Sequence, residues 1–164
     1  MSNMVINSKE IPWEESSNGQ KYSKKRKRVG QALGTKDLGV SLFEISPGQR
    51  AFPYHFHHAN EELFYVLSGE GTLRGPAGEE PIAPGDFIRA LANRDGAHQI
   101  INTSDEPLQF LAVSTMREPD VVEYPDSEKI FVASGSAPGG VESRRTLDNV
   151  WRLQDAVDYW LDET

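Results

Sequence analysis

Residues 53–71 read PYHFHHANEELFYVLSGEG, which puts three of the chain's four histidines within four positions, followed by two glutamates and an apolar run. If AFPYHFH is a strand, alternation sends His55 and His57 to one face and Phe56 to the other. Their Cα atoms would then lie about 6–7 Å apart, given a rise of about 3.3 Å per residue. At that separation two ring nitrogens can converge on one ion at about 2.0–2.2 Å. Glu61 and Glu62 open the next strand, so one carboxylate can reach the same point across the sheet. Exposed or hydrogen-bonded histidines are the plain alternative, and H-x-H alone does not exclude them. The fourth histidine, His98, lies in a second strand-like segment, DGAHQIIN, where His98, Ile100 and Asn102 share a face. A site of three histidines and one glutamate is coherent. It suits Fe, Mn, Ni, Co, Cu or Zn.

Outward from this stretch, residues 38–118 carry short apolar or alternating segments: GVSLFEI, AFPYHFH, ELFYVLS, GTLRG, EEPIA, DFIRAL, AHQIIN and LQFLAVST. Turn-forming runs such as SPGQ, SGEG, GPAGEE, APGD and NRDG separate them. Short strands with turns every 8–12 residues or so predict an all-β sandwich or barrel, with the jelly roll among the candidates. Residues 1–37 read as a polar N-terminal arm anchored by Trp13. Residues 119–164 read as a C-terminal extension that packs on the barrel or on a partner subunit. Within the extension Val150, Leu153, Val157 and Trp160 fit one helical face with Asp148 as a possible N-cap, but the same letters also permit an extended strap.

Composition narrows the function classes. Apolar residues make up 37% of the 164 and charged residues 26%, which is the balance of a globular domain with a core. The absence of cysteine removes disulfides, thiolate catalysis and cysteine metal sites. A net charge of −8 disfavours binding to a nucleic-acid backbone. The contrary feature is KYSKKRKR, residues 21–28. Without aromatic interleaving or a recognition helix it reads as a solvated arm or an edge strand. The polar start and the lack of a long apolar run predict a cytoplasmic protein with no membrane partner.

Two stretches resemble the motifs of the cupin superfamily. Residues 48–69, G-x6-HFH-x4-E-x6-G, are similar to its first motif, usually written G-x5-H-x-H-x3,4-E-x6-G. Counting back from Gly69 selects Glu62 rather than Glu61 as the metal carboxylate. The segment PGDFIRALANRDGAHQIIN resembles the second motif, G-x5-P-x-G-x2-H-x3-N, and matches it at His98 and Asn102. The departures are an extra residue between Gly48 and His55, Arg94 in place of the proline, and Ala97 alone between Gly96 and His98. The tail is similar to that of small single-domain bacterial cupins. The resemblance implies a double-stranded β-helix barrel with one divalent transition metal ion held by His55, His57, Glu62 and His98.

The neighbouring letters have plainer readings. His58 and Glu61 point away from the ligand pair by alternation. Tyr54 and Phe56 are packing residues, and Asn102 serves a turn or supports a ligand. Arg50, Arg74 and Arg89 are possible partners for a substrate carboxylate but read first as surface cations. In ELFYVLS, Glu62, Phe64 and Val66 face inward and Leu63, Tyr65 and Leu67 outward, so both sides need cover. Either a second subunit or the chain's own arm and tail lies there. Cupins commonly dimerise, and a homodimer is expected. An open-coordinate metal predicts an enzyme acting on a small oxygenated metabolite, by oxygenation, isomerisation, decarboxylation or lyase chemistry. The alternative is a non-catalytic small-molecule binding or sensor protein, because no acid or base partner stands out; no catalytic residue can be named.

Overall fold

In the N-terminal arm Glu14 and Glu15 face Arg26 and Lys25 across a hairpin, β1 (Glu14–Asn18) and β2 (Tyr22–Lys27), followed by a short helix α1 (Val29–Leu33). The computed structural model describes residues 4–163 and is all-β in architecture. Each of the eight apolar or alternating segments supplies one strand. They are β3 (Leu38–Ile45), β4 (Phe56–His57), β5 (Glu62–Ser68), β6 (Gly71–Gly75), β7 (Gly78–Ile82), β8 (Phe87–Ala90), β9 (Gln99–Ile101) and β10 (Leu108–Thr115). Three more strands follow: β11 (Asp120–Tyr124), β12 (Lys129–Ser134) and β13 (Leu147–Arg152).

The strands form three antiparallel sheets. One has the order β1-β2-β3-β10-β5-β8, another β13-β12-β11-β4, and a third β7-β6-β9. The core lies between the first and third. Phe43 and Ile45 on β3, Phe64 and Val66 on β5, Ile88 on β8, and Leu108 and Phe110 on β10 face Leu73, Ile82 and Ile100. Phe43 stacks on Phe110 at 5.3 Å between ring centroids, and Phe64 meets Phe110 edge-on at 5.9 Å. Burial of each such side chain contributes roughly 1.5–3 kcal/mol, so the register of β3, β5 and β10 is tightly specified. A one-residue slip would turn the whole row toward water. Gly69 closes the β5–β6 turn at φ 76°, with the Pro107 carbonyl oxygen directly where a Cβ would stand. Only glycine fits there.

The basic run differs from the expectation of a solvated arm or edge strand. It forms β2, an interior strand between β1 and β3, and β1 takes the edge. Its odd members face outward or into the arm. Lys25 pairs with Glu44 at 3.1 Å, and buried Lys27 donates to the Ser8 carbonyl at 2.6 Å with its ammonium 4.7 Å from the Trp13 ring. The helical option for the tail is not taken up either. Residues 147–152 pair with β12 from Lys129↔Arg152 to Ser134↔Leu147, and Asp148 binds Arg145 instead of capping a helix. Ladder hydrogen bonds outweigh the 3.6-residue periodicity there. No helix among the described residues is long and apolar enough to cross a membrane.

Candidate metal centre

The four predicted donors arrive from three places in the fold. His57 ends β4, which pairs with β11 through His57↔Val122 and Phe56↔Glu123. His55, two residues earlier, faces His98 in an isolated antiparallel bridge: His55 N donates to His98 O at 3.2 Å and His98 N to His55 O at 2.9 Å. That backbone exchange brings the two imidazoles to 4.6 Å between centroids. Glu62 opens β5 and projects inward in step with Phe64 and Val66, as alternation requires.

His55, His57 and His98 are each oriented by Nδ1. His55 Nδ1 donates to the Pro53 carbonyl at 2.8 Å, His98 Nδ1 to the Gly96 carbonyl at 2.9 Å, and His57 Nδ1 to Asp120 Oδ2 at 2.6 Å. These partners only accept, so the proton sits on Nδ1 and the Nε2 lone pair is left free. His57 Nε2 lies 3.5 Å and His98 Nε2 3.3 Å from Glu62 Oε2. Donor atoms of His55, Glu62 and His98 all lie within 4.8 Å of one another; His57 approaches the same carboxylate but stands outside that tighter trio. Glu62 Oε2 is buried and has no hydrogen-bond partner. Two donors each about 2.1 Å from one ion are roughly 3–4 Å apart, so this spacing fits a metal. Without a cation, lone pairs would face a carboxylate oxygen across a dry gap, which is costly.

Burial dominates the titration of the cluster. It pushes His55 well below the usual imidazole range, helped by His98 and His57, and it lowers His98 against the pull of Glu62. His57 feels the same burial, but the Asp120 hydrogen bond and the charges of Glu62 and Asp120 carry it upward overall. Burial would raise Asp120, yet the bond and charge of His57 hold it below the usual carboxylate range. The two shifts describe one polarised pair.

The donors form the floor of a cavity of about 220 Å³. Its walls include Phe52, Tyr124 and Phe131, with Asn60, Ser41 and Arg26 as polar groups. Tyr124 stacks on His55 at 6.0 Å and Phe64 lies 5.0 Å from His98, so the imidazoles are packed by aromatic rings.

The other sequence readings divide. His58 is exposed and bonds Glu123 at 2.8 Å; Glu61 is exposed. Phe56 is buried, and Arg74 covers the Tyr54 ring at 4.2 Å while holding Asp126 at 2.6 and 2.8 Å. Arg50, Arg74 and Arg89 all lie off the cavity lining. Fully buried Asn102 ties the loop after β9, donating to Ile45 O at 2.8 Å and Glu106 O at 2.7 Å. Asp120, Tyr124 and Arg26 were not anticipated. The first two come from the extension, where no local pattern announces a pairing with β4. Arg26 was hidden in the charge run, although alternation there sets Lys24, Arg26 and Arg28 on one face.

The sequence profile of the Cupin domain matches residues 41–114. The chain is 31% identical over 114 residues to the oxalate-binding protein of Thermotoga maritima, covering 67% of this chain and 92% of that one. Among solved structures, a candidate sugar phosphate isomerase from Acidithiobacillus ferrooxidans superposes with a TM-score of 0.79 at 30% identity, covering 94% of this chain and 96% of that one. A sugar phosphate isomerase from Silicibacter pomeroyi shares the fold with a TM-score of 0.78 at 24% identity, over 93% of this chain and 94% of that one.

Proposed function

This chain belongs to the cupin superfamily, and we propose that it is a metal-dependent enzyme acting on a small, oxygen-rich organic anion. The observation that carries this reading is Glu62 Oε2, buried without a partner and facing the Nε2 atoms of His57 and His98. His55, His57, Glu62 and His98 would together hold one divalent transition metal, which supplies Lewis acidity, and redox capacity if it is iron. Three neutral imidazoles and one carboxylate leave a site of net charge near +1, which favours an anionic oxygen ligand. The names of two relatives, oxalate-binding protein and candidate sugar phosphate isomerase, share that ligand chemistry.

The chain's own groups set the conditions. Asp120 fixes the tautomer of His57 and raises its basicity as a donor. Phe52, Tyr124 and Phe131 give the cavity apolar walls, and charge interactions are stronger beside such walls than in open water. A second reading is a protein that holds the anion without turnover. It is favoured by the cavity lining: apart from the four donors, its titratable side chains are Arg26 and Tyr124, neither a ready general base.

Elemental analysis of protein purified without chelator tests the metal, with about one ion per chain expected. Exchange of His57 or His98 for alanine should empty the site, and full occupancy in both variants contradicts the reading. Product formation from oxalate or a sugar phosphate separates enzyme from binder. The protein is further read as a homodimer, since Leu63 and Leu67 remain 44% and 43% exposed beside Phe87 at 71%. A monomeric mass in dilute solution contradicts that part.

A further inference from the structure

The basic strand β2 places one cation inside the metal cavity. Of the charged residues in and just after it, Lys25 and Arg28 pair with carboxylates, Arg28 Nε lying 2.7 Å from Glu14. Lys24 and Lys27 donate to the carbonyls of Ala51 and Ser8. Arg26 differs. It lines the cavity that also contains His55, His57, Glu62 and His98, and among the described residues no carboxylate lies within ion-pair distance of it. Its Nε donates to Ser41 Oγ at 2.9 Å and its Nη2 to the Gly139 carbonyl at 3.3 Å, while its guanidinium lies 5.5 Å over the Phe43 ring. Nη1 has no partner among the described residues. Burial, then the neighbouring Arg28, pushes the guanidinium down to about 10, so it stays charged at neutral pH.

A sheltered guanidinium without a carboxylate is uncommon, because desolvating it costs energy that a partner normally offsets. Nε and Nη2 are anchored, and Nη1 is left as the free nitrogen of a side chain that lines the cavity. Ser41 on β3 and Gly139 in the loop SGSAPGG fix the plane of the fork from two directions. A fork held this way matches the paired oxygens of a carboxylate or phosphate.

We propose that Arg26 is the residue that selects the substrate, by binding a carboxylate or phosphate group while an oxygen at the other end of the same small molecule meets the metal. The substrate is therefore a molecule with two anionic groups, short enough for a cavity of about 220 Å³. The inference rests on the metal reading given above. No bond is made or broken by Arg26 itself; it binds and orients.

Calorimetry on protein loaded with Mn²⁺ or Zn²⁺ tests this with malonate against acetate, and phosphoglycolate against glycolate. The wild type should prefer at least one dianion over its monoanionic counterpart by about tenfold or more, and the preferred probe identifies the carboxylate or phosphate. Arg26→Met should lose that preference by about tenfold with metal content and acetate binding unchanged. Arg26→Lys, which keeps the charge without the fork, should fall between and carries the test if the methionine variant fails to fold. Wild-type dianion affinity in a folded Arg26 variant with its metal in place overturns the proposal, as does absence of any dianion preference in the wild type. A wild type that takes up no metal removes the underlying reading, and this one with it.

Discussion

Asp120 Oδ2 accepts a 2.6 Å hydrogen bond from His57 Nδ1, while Oδ1 accepts one from the Ala59 amide at 2.9 Å. The carboxylate is fully buried and lies 63 residues from the imidazole that it orients. Both of its oxygens are engaged by the segment that carries His57, so it fixes ring and backbone together.

Asp120→Asn keeps the shape but removes the charge that favours the Nδ1–H tautomer. Metal affinity should fall by about 10–100-fold with the fold intact. Competition against a chromophoric chelator reads this directly. An unchanged affinity would mean that His57 is not oriented through Asp120.

Glu62→Gln should act in opposite directions on the two forms of the protein. The amide can donate to a free Nε2 where Oε2 cannot, so the metal-free variant should gain about 1 kcal/mol of stability. Its metal affinity should drop by about 100-fold or more, because the neutral amide is a poor ligand. Thermal melts with and without chelator show both effects. A metal-free variant less stable than the metal-free wild type contradicts the first.

Gly96 delivers His98. Its carbonyl accepts from His98 Nδ1, and a Cβ on it would run into the Leu91 carbonyl oxygen and amide nitrogen. Backbone cannot retreat as a flexible side chain can. Gly96→Ala should cost about 2–4 kcal/mol and reduce metal binding as well. Denaturant titration and metal analysis of the same preparation check the pair of effects.

Lys24 predicts a pH dependence. Burial, then the charges of Arg26 and Arg28, lower its ammonium to about 8 from 10.5. The unfolded chain therefore binds more protons than the folded one between those values, and stability rises with pH across that window. After allowance for solvent screening, the rise should be about 1 kcal/mol, and Lys24→Met should flatten it. Urea midpoints at pH 7.5 and pH 10 for both proteins provide the measurement. Parallel profiles would mean that Lys24 titrates as it does when unfolded.

The barrel was legible because its strands bury one face and turn at glycine, proline and aspartate. Phe64 and Val66 lie inside and Leu63 and Leu67 outside, as period two requires. The gathering of His55, His57 and Glu62 was legible for the same local reason: the two histidines are two apart, and Glu62 begins the next strand. What local pattern could not give was pairing across long separations. β4 contributes two residues, and its neighbour β11 comes from the extension, so nothing near His57 foretold Asp120. In the tail, Val150, Leu153, Val157 and Trp160 carry a helical spacing, yet all are exposed and residues 147–152 join β12. The charges of residues 21–28 read by themselves as a solvated arm or an edge strand. Only the neighbouring strands on both sides of β2 reveal that alternate members point inward.

The donors lie between residues 55 and 98, but much of what faces them belongs to the two ends of the chain: Arg26 before the barrel, and Tyr124, Phe131 and Gly139 after it. The candidate donors and the residues that face them are thus written in separate parts of one chain. Substitutions in the termini would therefore reshape the cavity wall while leaving residues 55, 57, 62 and 98 as they are.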